Sequence, residues 1–361
     1  MRTIFGFLLL IHGFIHLTGF VKAFELADIS RLNRGISKPT GVLYLLASLI
    51  FLVTTTLFFL NKDRWPILAI ISVLISQFLV ILYWNDAKFG TIVNVLILFV
   101  SISSYGNYKF DRMVHNETLA LLQNTDSSNT TLVTTKNILL APAIIQKWMK
   151  NSGVIGKQKI FSVRLKQKGE MRTKPESKWM SFTAEQFFNV KDPSFVWSTK
   201  VEALPFIKMN GRDKFINGEG QILIKIAGLI PIVKESENEK INQGSMLRFL
   251  AEICWFPSAA LNKYIKWVAI DSTSAKATFA LDKKSVSGVF KFSEKGKFLS
   301  FETNRFYGGD RDAQLEKWHI KAVDHKVFDG YNIPHKCKVI WKLTEGDFNW
   351  LNLEITDLNI N

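Results

Sequence analysis

The chain has 361 residues, a formal charge of +15 and 47% hydrophobic residues, with only two cysteines. That apolar content excludes intrinsic disorder, and the cysteine count excludes a disulfide scaffold. Charge is unevenly spread: residues 1–108 hold eight Lys/Arg and four Asp/Glu, leaving 38 basic and 27 acidic residues for the remainder, which excludes a purely soluble protein.

Four apolar segments run Ile4–Ala23, Thr40–Leu60, Pro66–Trp84 and Phe89–Tyr105. Each approaches the ~20 residues a helix needs to cross a bilayer core of ~30 Å. No small-x-small cleavage site follows Phe20, so the first segment reads as a retained span rather than a secretory signal. Backbone groups in lipid must be satisfied within the segment, which predicts helices. Trp65, Tyr83, Trp84 and Tyr105 stand at segment ends, where amphipathic rings prefer the interface.

Four spans place both ends of this region on one side. Lys22, Arg31, Arg34, Lys38 and Lys88 lie on one face of the membrane, and Arg2, Lys62, Arg64, Lys109 and Arg112 on the other, a balance of five against five. The more basic C-terminal flank of the first span breaks the tie. It puts the first loop in the cytoplasm and the C-terminal domain outside it.

His12 and His16 share one face of the first span, four residues apart. Ionisable groups at that depth are costly and often functional. One reading is a metal, haem or proton-handling pair facing Gln77 and Asn94. The other is a pair of neutral rings hydrogen-bonded across the bundle, and with no further His, Cys or carboxylate in the spans the second is preferred.

From residue 109 to 136 the chain is polar, centred on Asn124–Thr131, and reads as a linker. Residues 137–151 read as a short amphipathic helix. Beyond Lys159 the hydrophobic period changes to two. Alternating runs at 161–165, 179–187, 195–201, 221–226, 275–281, 286–292, 297–303, 317–323, 338–343 and 349–355 predict half-buried strands. Turn signals such as Lys168-Gly169, Asn217-Gly218, Glu294-Lys295-Gly296 and Asp329-Gly330 separate them. About ten sequential strands imply an antiparallel meander that must curl or close. One helix is expected at Gln243–Cys254, ended by Trp255-Phe256-Pro257, with a second helical stretch at Ser258–Tyr264. Asn210-Gly211-Arg212-Asp213 reads as turn chemistry at a hairpin.

Several motifs carry a resemblance: Trp148-Met149 with Ser152-Gly153, Val163-x-Leu165-x-Gln167-x-Gly169-x-Met171-Arg172, Trp179-x-x-Phe182-x-Ala184-x-Gln186, Gly211-Arg212-Asp213 with Gly218-x-Gly220, Arg248-x-Leu250-x-Glu252-x-x-Trp255-Phe256-Pro257, and Trp84-x-Asp86-Ala87-Lys88-x-Gly90. In these the chain resembles a bacterial four-span membrane family of unknown function. Its C-terminal part also resembles, in architecture, the half-barrels of LolA- and LppX-type lipid carriers. The first resemblance implies a multi-pass protein of the bacterial inner (cytoplasmic) membrane; the second implies a curved sheet around a greasy cavity.

The expected fold is thus an α+β membrane protein. Four transmembrane helices (residues 1–108) and a polar linker (109–136) precede a curved antiparallel β half-barrel domain (137–361) with one or two inserted helices. The leading function is membrane-anchored binding of a lipid or other amphiphilic ligand, with onward transfer left open. Phe182, Trp197 and Trp255 would line the cavity, and Arg212, Arg248, Glu252 and Arg305 would form a polar pole for a headgroup. Two alternatives stay open. One is a membrane redox or metal protein centred on His12 and His16; the other is a non-catalytic interaction module whose aromatics simply pack a core, with Arg248 and Glu252 as an ordinary i,i+4 pair. No Gly-x-Ser-x-Gly elbow, P-loop, dinucleotide fingerprint or His-Glu-x-x-His is present, and the reading favours binding over catalysis with no cofactor. His319, His325, His335 and Cys337 lack tight metal-binding spacing, and Cys254–Cys337 is the one available disulfide. The lysines alternate on solvent faces instead of clustering, so membrane lipids are the expected partner and nucleic acid is not; protein partners are undefined.

Overall fold

A computed structural model describes residues 2–29, 34–123, 125, 131–204 and 207–360. The chain divides into two compact units, Met1–Asp111 with Ala227–Leu229, and Arg112–Ile226 with Ile230–Asn361.

The first unit is helical: α1 Arg2–Ala23, α2 Lys38–Phe59, α3 Trp65–Leu82, the short α4 Trp84–Ala87, and the part of α5 (Gly90–Leu122) up to Asp111. Helices α1, α2, α3 and α5 are long and apolar enough to cross a membrane. Ser37 caps α2, its Oγ accepting from Thr40 N at 3.4 Å, and Pro39 occupies the first turn. Glycines on α1 let α2 approach closely. A Cβ at Gly13 would meet Phe51 Cβ at 2.9 Å, and one at Gly19 would strike the Tyr44 ring. Unlike a water-soluble bundle, this one has an apolar outer surface, and polar side chains are buried alongside Leu9, Phe51, Val73 and Ile97. His12, His16, Ser48, Thr54, Ser72, Ser76, Asn94 and Ser101 are buried, while Ile4, Phe7, Leu74, Phe78, Ile92 and Phe99 face outward. The basic loop residue Arg31 lies outside the described residues.

Helix α5 departs from expectation. Its apolar portion ends near Tyr105, yet helix continues to Leu122; residues 112–122 belong to the second unit and find partners within it. Glu117 sits between Arg212 Nε at 3.1 Å and Lys214 Nζ at 2.8 Å, and the Leu121 carbonyl accepts from Asn189 Nδ2 at 3.1 Å. The polar stretch expected from residue 109 is therefore helical through 122; residues 124 and 126–130 of it lie outside the described residues. The helix expected over 137–151 is split into α6 Thr135–Ile138 and α7 Ala143–Asn151, with Pro142 at the break because it has no N–H to donate.

The second unit is built on one sheet of 13 antiparallel strands. They are β1 Ser162–Met171, β2 Met180–Asn189, β3 Ser194–Leu204, β4 Ile207–Ile216, β5 Glu219–Ile226, β6 Ile230–Glu235, β7 Ile265–Ala269, β8 Ser274–Leu281, β9 Lys284–Phe292, β10 Phe298–Phe306, β11 Leu315–Phe328, β12 Tyr331–Leu343 and β13 Gly346–Ile360. The spatial order is β6-β5-β4-β3-β2-β1-β13-β12-β11-β10-β9-β8-β7. First and last strands thus pair at the centre, with Val163 opposite Ile360, and the edges come from mid-sequence. Between those edge strands the chain forms α8 Glu239–Glu252, followed by 3-10 turns at Ile253–Trp255 and Pro257–Leu261. Helix α8 touches β4 and β5 on one wing and β8, β9 and β10 on the other, so the sheet bends around it.

Local chemistry accounts for many of the joints. Asn217 (φ 53°) and Gly218 (φ 77°), like Asp329 (φ 46°) and Gly330 (φ 76°), form two-residue hairpin turns with both φ positive, the geometry that Asn-Gly and Asp-Gly favour. Strands β6 and β7 were not expected; they are short edge strands, and Pro231 in β6 disguises its pattern. Strand β4 is a correction: Asn210-Gly211-Arg212-Asp213 is no turn but the middle of a strand between β3 and β5. Gly211 is needed there because a Cβ would stand 2.7 Å from Thr199 Cγ2. Helix α8 begins earlier than Gln243, because Asn238 caps it, accepting from Lys240 N at 3.0 Å.

An aromatic core fills part of the concave side. Phe249 of α8 is fully buried, with ring centroids 6.2 Å from Phe188, 6.4 Å from Phe215, 5.8 Å from Phe256 and 5.3 Å from Phe279. Trp148 of α7 packs on Phe290 and Phe292. Much of the aromatic content is therefore packing.

Candidate functional site

The aromatic plug stops short of one end of the curve. What remains is a cavity of about 760 Å³ between β1–β6, α8 and β10–β13. Its volume falls within the several-hundred-Å³ range of small-molecule sites. Met180, Phe182, Trp197, Met209, Ile224 and Trp350 contribute to its apolar wall. Residues of β6 and of the 306–310 loop border it where Ile232 and Tyr307 are exposed.

One pole of this cavity is charged. Arg248 Nε donates to Glu252 Oε1 at 2.8 Å along α8, and its Nη1 donates to Asp213 Oδ2 at 2.7 Å across to β4. The guanidinium carbon also stands 5.0 Å from the Phe195 ring centroid and 4.8 Å from that of Trp197. From Glu252 a directed chain of hydrogen bonds crosses three strands. Trp197 Nε1 donates to Gln167 Oε1 at 2.8 Å, Gln167 Nε2 to Gln186 Oε1 at 3.3 Å, and Gln186 Nε2 to Glu252 Oε2 at 2.8 Å. The indole can only donate, so it sets the orientation of both amides in turn. Burial pushes Asp213 and Glu252 above the ordinary carboxylate range, with Arg248 pulling both back.

Arg305 of β10 completes the pole differently. Its guanidinium carbon lies 4.6 Å from the Trp318 ring centroid and 5.9 Å from that of Trp341, and it rests on the bare Cα of Gly244, where a Cβ would meet Nε at 3.0 Å. Among the described residues no carboxylate lies within ion-pair distance of it and no acceptor takes its hydrogens. Burial, then the neighbouring Arg248 charge, lowers its pKa to about 10, so it stays cationic at neutral pH.

Of the seven ligand-binding candidates, six (Phe182, Trp197, Arg248, Glu252, Trp255 and Arg305) line this one cavity. Trp255 is held by Nε1 donating to the Pro334 carbonyl at 3.0 Å. Arg212 is the exception and requires correction. Adjacent strand residues face opposite ways, so with Asp213 inside, Arg212 points outward to Glu117 at 3.1 Å. Sequence reasoning placed Gln167 and Gln186 in motifs but gave them no role in the site, and it did not single out Trp318, Trp341 or Gly244. The legible signal among these was Gly244, a glycine inside a helix, where it costs roughly 1 kcal/mol against Ala unless something needs the space.

The bundle histidines form a separate site. His12 Nε2 lies 2.9 Å from Asn94 Oδ1, His16 Nε2 lies 2.9 Å from Ser76 Oγ, and Ser76 Oγ donates to Asn94 Oδ1 at 2.9 Å. Since Asn94 Oδ1 only accepts, His12 carries its proton on Nε2. Asn94 Nδ2 then donates to Gln77 Oε1 at 3.0 Å, and Gln77 Nε2 to Thr91 Oγ1 at 3.1 Å. This is a cross-helix polar network with the Nε2 atoms of both rings engaged. Among the described residues no group of three or more His, Cys, Asp and Glu is placed to hold a metal. In the second unit His319 pairs with Glu302 at 2.8 Å and His335 approaches Asp324 at 3.8 Å; Cys254 and Cys337 are buried free thiols lining the cavity.

No curated protein matches the chain. Among solved structures, it is similar to a LolA superfamily protein from Nitrosomonas europaea, at 8% identity and a TM-score of 0.35, over 63% of this chain and 94% of that one. Residues 140–359 match the family model described as family of unknown function DUF6920, which takes in all 13 strands and the whole cavity wall up to Asn359. The chain belongs to the DUF6920 family of unknown function.

Proposed function

We propose that the second unit binds a lipid or another amphiphilic molecule in the cavity of its curved sheet, and that the four apolar helices anchor the chain in a membrane. The observation that carries the reading is the cavity itself: about 760 Å³ of apolar, aromatic-walled space with a charged pole at one place in its wall. Apolar walls accept a hydrocarbon tail, and a few placed polar groups orient the other end. The anchor is supported by the bundle's surface, where large apolar side chains face outward while a hydrogen-bonded polar network is buried among apolar side chains inside. In water such a surface is a liability; in lipid it is the required arrangement. Covalent attachment to the bundle keeps the binding unit at high effective concentration near membrane lipid. The more basic C-terminal flank of α1 supports a reading in which the second unit lies outside the cytoplasm, and the family resemblance supports a bacterial inner membrane as its location.

The test is a titration of the full-length protein, in a neutral detergent, with a fluorescent fatty-acyl probe. Met209→Trp fills the cavity from β4 and is expected to weaken probe binding at least about tenfold. Equal binding by this variant and the wild type overturns the reading.

A further inference from the structure

Resting on the cavity reading, we infer that the bound headgroup is zwitterionic, with its anionic group on Arg305 and a primary ammonium on Asp213. The inference starts from unequal use of the two arginines on the α8 face. Arg305 packs on Gly244, and Arg248 follows four residues later, about 6 Å along the axis. Arg248 is paired with carboxylates on both sides, at 2.7 Å and 2.8 Å. Arg305 has none, although it is half-buried and its guanidinium lies beside two indoles. A guanidinium with no acceptor of its own on the wall of the hollow is open to a ligand's anion, with which it forms strong charge-assisted hydrogen bonds.

The carboxylates are unequal too. Glu252 spends both oxygens, on Arg248 and Gln186. Asp213 spends only Oδ2, and Oδ1 takes no hydrogen bond among the described residues. The pole therefore offers one open cation and one open carboxylate oxygen on the same cavity wall.

Net charge then decides the ligand class. Arg248, Arg305, Asp213 and Glu252 sum to zero. A singly anionic ligand would satisfy Arg305 but leave the buried pole negative, and a cation would leave it positive; either is penalised where the dielectric is low. A headgroup carrying both charges, such as a phosphate or carboxylate beside a primary ammonium, answers both open groups and keeps the sum at zero.

Three lysophospholipids of one acyl chain test this on the full-length protein in neutral detergent, read by native mass spectrometry and tryptophan quenching: phosphoethanolamine (zwitterion with N–H donors), phosphocholine (zwitterion without them) and phosphoglycerol (anion). The phosphoethanolamine form is expected to bind at least about tenfold tighter than the phosphoglycerol form. Arg305→Gln should cost it about tenfold, and Asp213→Asn should erase its advantage over phosphocholine. Gly244→Ala is the variant that alters no charge and suits a helix better; by displacing the guanidinium it should weaken binding in the same direction. Equal or tighter binding of phosphoglycerol, or an unchanged preference in Arg305→Gln, overturns the inference. If all three bind alike the cavity reading stands and this one falls, whereas if none binds the cavity reading falls with it.

Discussion

At the scale of single residues, the second unit places titratable groups where water is scarce, and His325 shows the consequence. Its Nε2 is buried with no partner, and burial together with the Lys297 charge pushes its pKa down to about 4 from 6.5. The unfolded chain therefore takes up the proton first as pH falls. Stability from this group is full above about pH 6.5 and is lost as pH drops toward about 4. Allowing for the solvent that still reaches the ring, the loss is on the order of 1 kcal/mol. Thermal melts at stepped pH should show that slope, and His325→Gln should flatten it; an identical slope in the variant would rule this origin out. Neither the unpartnered Nε2 nor the ring's depth was legible from a sequence in which His325 is one of three scattered histidines. Arg248 is a contrasting case. An i,i+4 pair with Glu252 is written in the spacing, but Asp213, 35 residues upstream, joins it only because β4 passes beneath the helix.

Among elements, α8 does most to shape the hollow. It enters between the two edge strands, fills one side of the curve with Phe249 and lends Gly244 and Arg248 to the other. Phe249 touches aromatics from both wings, so truncating it opens a void that neither wing can close alone. Phe249→Ala is expected to cost about 3–5 kcal/mol in unfolding measurements, and a cost below about 1 kcal/mol would show that the wings do not close on the helix. The element itself was readable, since Arg248 to Pro257 carries both an apolar face and a clear stop. Its first turn was not, because a capping Asn238 in a polar stretch resembles any loop asparagine. Strand β4 was hidden for the opposite reason: Asn-Gly-Arg-Asp has the composition of a turn, and only neighbours on both sides hold it extended.

For the whole molecule, sidedness is the property on which the proposed role turns. Both native cysteines are buried, and burial pushes the Cys337 thiol up to about 12 and Cys254 well above its ordinary value. They should stay silent toward a membrane-impermeant maleimide. Glu345→Cys, in the exposed turn between β12 and β13, supplies a single reporter. Labelling in intact cells is expected; labelling only after permeabilisation would place the second unit in the cytoplasm and reverse the reading of the loop charges.

By itself the sequence determined four apolar helices, a run of alternating strands and the hairpin turns at Asn217-Gly218 and Asp329-Gly330. Each of these follows from side chains within a few positions of one another: apolar length, a period of two, a tolerated positive φ. Tertiary structure alone decided that Arg212 faces out while Asp213 faces in, that Arg248 is neutralised and Arg305 is not, and that the aromatic plug ends before the curve does. Those outcomes depend on how far a 13-stranded sheet bends around one helix, a sum of contacts between residues tens to hundreds of positions apart that no local pattern encodes.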